Sequence, residues 1–399
     1  MLKCRMLVLL LLAPLVAPVL ASAATLTDDT LSVDGVARRY LVHDFSNGTP
    51  APLVIMLHGG GGSGANMAEQ TGFDTLAQRE GLIAVYPYGS GGLFANILLT
   101  WNAAHCCSYA MRENTDDVRF LTLLIDKLIA SGKVDADRVY VSGLSNGGMM
   151  THRVGIELSS KVAAIAPVIA SLYGDEPLRE FAMPTLIING AVDQRVKPEG
   201  GELQGFGFEN SPADKPTLPI NSQRDYWAKV NGCTAFTDTE TTAYFLRSYQ
   251  GCRQGGAVQS YVVKHNGHAW PGGTAPRGEA DQPVQTVNAN EVIWAFFRQY
   301  KRSAANVSNT AYYYDGSLRI PGLSAEGKSY SATLFLRSSI PLEFELSALS
   351  ATGSPLEGMP VYTNGKLMLD KIAIGAEQRS ATLTLTNTAP VRLRVSELK

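Results

Sequence analysis

Between residues 53 and 189 the chain repeats one pattern: a short run that is apolar on every side, then a longer stretch that is apolar on one side only. The short runs are 53–57 (LVIML), 82–86 (LIAVY), 139–142 (VYVS), 162–167 (VAAIAP) and 185–189 (TLIIN). A strand with no polar face has to be covered on both faces, which excludes a sheet with one side in water. Among the intervening stretches, the clearest starts at Asp116-Asp117 and puts Val118, Leu121, Leu124, Ile125 and Leu128 on one helical face. Strands alternating with helices predict a mostly parallel sheet with helices packed on both sides. Residues 291–300 (EVIWAFFRQY) read as the helix that closes this unit.

Past Lys301 the helical period stops, and short runs of Leu, Ile, Val and Thr alternate with turns. Here the sequence repeats itself at an offset of 49 residues. Gly316, Leu318 and Ile320 match Gly365, Leu367 and Leu369, and Ser331-Ala332-Thr333-Leu334 matches Ser380-Ala381-Thr382-Leu383. Leu336 and Pro341 match Leu385 and Pro390. Two copies of a strand-turn-strand unit predict a small antiparallel β domain, a sandwich or a roll. A chain of 399 residues exceeds one ordinary core, so the expected division is 24–302 for the α/β unit and 303–399 for the β-rich repeat domain. A polar segment rich in Gly and Pro, 199–219, interrupts the alternation and is expected to form a long surface loop near the site.

Lys3 and Arg5 precede an apolar run over 6–20, and Ala21-Ser22-Ala23 follows it. The run is short and broken by Pro14 and Pro18, so residues 1–23 are expected to be a cleaved secretory signal and not an integral membrane anchor. The mature protein is then secreted or periplasmic. Cleavage removes Cys4 and leaves Cys106, Cys107, Cys233 and Cys252, an even number, which favours disulfides in an exported protein. Four cysteines allow three pairings. Cys233 and Cys252 flank a hairpin-like stretch and are the favoured pair, which leaves Cys106 and Cys107 bonded to each other or free. A net charge of −2 with no basic run argues against nucleic acid as a partner.

The chemistry concentrates in a few places. Gly143-Leu144-Ser145-Asn146-Gly147 lies between a predicted strand and a predicted helix. Gly-x-Ser-x-Gly in that context is a nucleophile elbow: small flanking residues let the chain fold past itself and hold the Ser145 hydroxyl out at the strand end. The N–H of Asn146, at the helix start, then faces a developing oxyanion. His58-Gly59-Gly60-Gly61-Gly62 follows the first buried strand, where Gly59 or Gly60 would supply the second oxyanion donor; His58 is expected to pack beneath the loop. Asp193, four residues beyond the strand 185–189, is the expected acid in preference to Asp175. His268, in the loop after 260–264, is the expected base in preference to His265 and to His152 on the helix after the elbow. Trp101 and Trp270 are candidates for the wall of a substrate pocket. His105-Cys106-Cys107 could suggest a metal, but no matching spacing occurs elsewhere, so no metal and no cofactor are expected.

His58 to Gly62 followed by Gly64, Trp101-Asn102 with Cys106-Cys107, Asp116-Asp117-Val118, Gly143 to Met149, and Gly267-His268-Ala269-Trp270-Pro271-Gly272-Gly273 stand in this order along the chain. In combination they resemble the secreted esterases of the polyhydroxybutyrate depolymerase family, which are related to feruloyl and acetylxylan esterases. The resemblance covers roughly residues 30 to 300. It implies an α/β-hydrolase fold, a triad of Ser145, Asp193 and His268, and the Cys233–Cys252 pairing. The segment 199–219 looks longer than the family's usual connection, which bears on pocket shape. By position the C-terminal repeats resemble accessory domains that hold an insoluble polymer. The expected activity is therefore hydrolysis of extracellular esters, either hydroxyalkanoate polyester or acyl groups on plant polysaccharide. The rival readings are a peptidase of the same fold and a surface-binding protein whose repeats do the work.

Overall fold

The computed structural model describes residues 24–92, 98–179, 181–203, 215–275, 281–302, 310–353 and 359–399. The signal-peptide expectation and most of the loop 199–219 lie outside these residues. The described ends of that loop are pinned together, Gly201 N–H donating to Thr217 O and Thr217 N–H to Gly201 O, both at 2.9 Å.

The first sheet contains β1 (Thr25–Val33), β2 (Val36–Asp44), β3 (Ala51–Leu57), β4 (Ile83–Pro87), β5 (Val134–Leu144), β6 (Ala164–Val168), β7 (Thr185–Gly190), β8 (Ala235–Glu240), β9 (Tyr244–Gln250) and β10 (Val258–Val263). Their order is β1-β2-β4-β3-β5-β6-β7-β10-β9-β8. The central strands β4, β3, β5, β6, β7 and β10 run parallel, and an antiparallel hairpin closes each edge. The helices are α1 (Gly64–Thr71), α2 (Phe73–Glu80), α3 (Ser108–Arg112), α4 (Asp117–Ala130), α5 (Asn146–Glu157), α6 (Asn221–Val230) and α7 (Ala289–Phe297). Two cores follow from the strand period of two. Leu53, Ile55, Leu57, Val139 and Val141 pack with α4 on one face, whereas Val54, Met56 and Tyr140 pack with α2 and α7 on the other. Asp116 starts α4 as its N-cap, its side chain accepting from Arg119 N–H at 2.9 Å. This is the α/β-hydrolase arrangement.

The C-terminal domain contains β11 (Ala311–Tyr314), β12 (Ser317–Ala325), β13 (Lys328–Ser339), β14 (Leu342–Gly353), β15 (Val361–Thr363), β16 (Lys366–Ile374), β17 (Glu377–Thr388) and β18 (Val391–Leu398). Each of the first four strands has its counterpart in the second four. The tight turn at Asp315-Gly316 recurs at Asn364-Gly365 with the same positive φ angles, and the register break at Ile320/Leu323 recurs at Leu369/Ile372. The pairing is reciprocal too: β11 lies parallel to β16, and β15 lies parallel to β12. These two short contacts, with β14 against β18, close the strands into a barrel around Leu318, Ile320, Leu334, Leu367, Leu369 and Leu383. The expectation of a sandwich or roll is corrected here. Each repeat leaves an edge on its second strand, and the other repeat's first strand covers it, so one closed sheet replaces two stacked ones.

Among the described residues no helix is long and apolar enough to cross a membrane. Both disulfides form: Cys233 with Cys252 at the base of the β8–β9 hairpin, and Cys106 with Cys107.

Candidate active site

Ser145 sits between the end of β5 and the start of α5 at φ 56° and ψ −120°. A non-glycine residue there carries strain of about 1–3 kcal/mol, which the surroundings must hold in place. Ser145 N–H donates to Val168 O at 2.9 Å, and Ser145 O accepts from Met149 N–H at 2.8 Å. The neighbours must be glycine for lack of room. A Cβ on Gly147 would lie 2.3 Å from Leu57 O, and one on Gly143 would lie 2.4 Å from Gly147 O.

The Ser145 hydroxyl lies 2.9 Å from His268 Nε2, and His268 Nδ1 lies 2.9 Å from Asp193 Oδ2. Asp193 is buried, and its Oδ1 accepts from the N–H groups of Arg195 at 2.7 Å and Val196 at 3.0 Å. Those two donors fix the carboxylate so that Oδ2 is left for the imidazole. Because a carboxylate only accepts, Nδ1 carries the hydrogen and Nε2 keeps the lone pair that faces the serine hydroxyl.

The glycine loop lies against the same turn: a Cβ on Gly59 would come within 3.6 Å of Ser145 Cβ, and one on Gly60 within 3.6 Å of Asn146 Cβ. His58 fixes this loop from below. Its Nδ1 donates to Gly59 O at 2.8 Å, and its Nε2 accepts from Gly89 N–H at 2.9 Å. Burial pushes its pKa down to about 4, so the ring is neutral and its two bonds suit a single tautomer. The Asn146 side chain makes a two-way pair with the backbone of Trp101, Oδ1 accepting from its N–H at 2.7 Å and Nδ2 donating to its O at 3.0 Å.

Two expectations are corrected. Trp101 and Trp270 are completely buried, so neither ring offers surface to a substrate. Trp101 Nε1–H donates to His58 O at 3.0 Å, which ties the Asn146 partner to the glycine loop. Trp270 Nε1–H donates to Asn290 Oδ1 at 3.0 Å, inside the core beneath α7. The competing residues stand elsewhere. Asp175 pairs with His105 at 2.7 Å and lies 3.4 Å from Lys215. His265 is exposed, and His152 is buried between Gln223 and Trp227. Cys106 and Cys107 are consumed by their bond, and the described residues hold no group of three His, Cys, Asp or Glu side chains arranged for a metal.

Three residues at the site had not been singled out from the sequence. Asp281 Oδ2 accepts from the backbone N–H of His268 at 2.5 Å. Asn266 Nδ2 donates to Gly267 O at 2.9 Å and to Ala269 O at 2.8 Å, shaping the turn that carries the imidazole. Arg153, on α5, donates to Asn102 O at 3.0 Å beside Trp101. Asn266 lay within the His motif and could have been weighed as a turn-forming side chain; Asp281 and Arg153 carry no local signal.

Residues 45–197 match the profile of a family described as "Esterase PHB depolymerase". That span includes Gly59, Gly60, Ser145, Asn146 and Asp193 and ends before His268. Feruloyl esterase B of Piromyces equi is 29% identical over 234 residues, covering 56% of this chain and 41% of the relative. The putative esterase NocK of Nocardia uniformis subsp. tsuyamanensis is 29% identical over 295 residues, covering 66% of this chain and 81% of the relative. Poly(3-hydroxyalkanoate) depolymerase C of Paucimonas lemoignei is 23% identical over 237 residues, 55% of each chain. The chain thus spans less than half the length of the feruloyl esterase. Among solved structures, an acetyl xylan esterase from Aspergillus awamori superposes with a TM-score of 0.46 at 14% identity, covering 69% of this chain and 99% of that one.

Proposed function

We propose that this chain, whose residues 45–197 match the profile of the PHB depolymerase esterase family, is a secreted serine carboxylic-ester hydrolase working through an acyl-enzyme. The observation that carries the reading is the unbroken hydrogen-bond series from Ser145 through His268 to Asp193, with the serine on the tight turn between β5 and α5. His268 Nε2 takes the hydroxyl proton as Ser145 Oγ attacks the ester carbonyl. Backbone N–H groups of Asn146 and of Gly59 or Gly60 stabilise the tetrahedral oxyanion. Proton return from His268 releases the alcohol; water then attacks the acyl-serine with His268 as base, and the acid leaves. Asp193 holds the tautomer and stabilises the imidazolium throughout.

The substrate class is an extracellular ester, foremost a hydroxyalkanoate polyester or its oligomers. The family profile supports that class. A second substrate reading, feruloyl or acetyl groups on plant polysaccharide, has its own support in the relative from Piromyces equi. The two disulfides fit an oxidising compartment.

The test is a panel of p-nitrophenyl esters, polyhydroxybutyrate film, methyl ferulate and acetylated xylan, with Ser145→Ala alongside. Film clearing above the variant's background supports the polyester reading. Ferulate or acetate release without clearing moves the substrate to plant walls. A Ser145→Ala protein that keeps full hydrolysis of the simple ester removes the mechanism.

A further inference from the structure

The β barrel is seated on the helix that begins at the nucleophile. Arg153 lies two turns along α5 from Ser145, and its buried side chain has partners on three sides. Its Nε meets Glu157 Oε1 at 2.7 Å, one terminal nitrogen donates to Asn102 O at 3.0 Å and Oδ1 at 3.2 Å, and the same nitrogen meets Asp315 Oδ2 at 2.8 Å. Asp315 belongs to the barrel, at the turn between β11 and β12. A second barrel residue, Arg319, faces the remaining oxygen of Glu157 at 2.5 Å. Two charges from each domain therefore alternate in one cluster of ion pairs, with Arg153 and Glu157 buried and Asp315 and Arg319 at its partly exposed rim. Around it, Tyr312 and Tyr314 are buried, with Arg179 over the first ring at 4.2 Å and Arg153 near the second at 5.8 Å. Burial works against the Arg153 charge, yet Glu157 and Asp315 raise its pKa above the ordinary guanidinium range.

The cluster reaches the site through a short path. Asn102 is gripped by Arg153 at its carbonyl and by Asp117 Oδ2 at its N–H, at 2.7 Å. Its neighbour Trp101 makes the two-way pair with Asn146 and the indole bond to His58 O, so it joins both halves of the oxyanion site. Without Asp315, Glu157 alone would face two guanidinium groups, the fully buried one of Arg153 and the partly exposed one of Arg319. Arg153 would then be drawn toward Glu157 and its hold on Asn102 would weaken.

We propose that the C-terminal barrel is a positioning element for the ester-hydrolysing site: Asp315, through Arg153 and Asn102, holds the Trp101–Asn146 pair that sets the oxyanion donors. This rests on the serine hydrolase reading. Asp315 touches no substrate, and its effect falls on the geometry of the transition state.

The test uses the full chain with Asp315→Ala, Asp315→Asn and Arg319→Ala, measuring kcat and KM on p-nitrophenyl butyrate and amide hydrogen exchange over residues 100–107. Asp315→Ala is expected to lower kcat about ten-fold with KM within about two-fold, a fraction of what losing a whole oxyanion donor costs. It is also expected to speed exchange over 100–107 while the strands 328–398 stay protected. The isosteric Asp315→Asn should fall between it and the parent. Arg319→Ala loosens the same seat but leaves both carboxylates on Arg153, which keeps its Asp315 contact and its place at Asn102, so kcat should stay near the parent value. Parental kcat and unchanged exchange in Asp315→Ala overturn the proposal, as does an Arg319→Ala loss equal to that of Asp315→Ala. Failure of the hydrolase reading shows separately, as Ser145→Ala hydrolysis at the parental rate, and the exchange measurement still decides the coupling.

Discussion

Replacing Asp193 with asparagine should abolish turnover although shape is preserved, and the geometry explains why. The two backbone donors at Arg195 and Val196 both point at Oδ1. An asparagine must place its carbonyl oxygen there, since the opposite rotamer sets an NH2 group against two N–H groups and forfeits both bonds, at about 1–3 kcal/mol each. The amide NH2 therefore takes the Oδ2 position, 2.9 Å from His268 Nδ1. Nδ1 must then accept, the ring hydrogen moves to Nε2, and the lone pair that faced the Ser145 hydroxyl is gone. An inverted tautomer costs about 10⁴ in kcat, which is roughly 5.5 kcal/mol at 1.36 kcal/mol per decade. Steady-state hydrolysis of p-nitrophenyl butyrate measures it, with thermal unfolding to establish that the variant is folded. Asp193→Asn should be at least as impaired as Asp193→Ala, which leaves the imidazole free to choose its tautomer. Retention of more than about 1% of parental kcat by Asp193→Asn, or a much deeper loss in Asp193→Ala, would refute the tautomer argument.

His58 and His152 are both wholly buried with pKa values pushed down to about 4 by desolvation. Their folded values lie below the unfolded one of about 6.5, so stability is complete above that pH and drains away as the pH falls toward 4. The loss reaches about 3 kcal/mol per histidine; urea midpoints that stay constant from pH 7 to 4.5 would contradict it. Ser145→Gly should unfold at a higher temperature than Ser145→Ala, by the equivalent of about 1 kcal/mol, because glycine adopts the positive φ without strain; equal midpoints would mean the turn is unstrained. Changing Cys233 and Cys252 to serine opens a cross-link spanning 19 residues and should cost about 3 kcal/mol of stability. Activity should persist at low temperature, since the hairpin lies at the sheet edge away from Ser145.

What could be read from the sequence was local, or recurred at a fixed spacing. The strands 53–57 and 185–189 declared themselves by having no polar side, and the turn at Ser145 by small residues packed into five positions. The repeat at an offset of 49 residues announced two matching units but not their closure, because β11–β16 and β12–β15 join segments some 40 to 60 residues apart. Trp101 and Trp270 were misread for a related reason. A tryptophan near a catalytic motif suits a pocket or a core equally, and the partners that decide it, His58 O and Asn290, are distant in sequence. Arg153 and Asp315 had no signal at all, since the ion pair that joins them crosses a domain boundary.

The duplicated barrel raises a question of orientation. An object with approximate two-fold symmetry offers two equivalent faces and could sit on its neighbour either way round. The two copies differ at many positions, and four decide the seat: Tyr312, Tyr314, Asp315 and Arg319 on one become Val361, Thr363, Asn364 and Met368 on the other. The first set is aromatic and charged and meets Arg153, Glu157 and Arg179, whereas Val361 and Met368 stand exposed. Turned half a revolution, the barrel would bring no carboxylate to Arg153 and no cation to Glu157. Divergence between the copies has thus removed a degeneracy, leaving the domain one seat where its own symmetry would have allowed two.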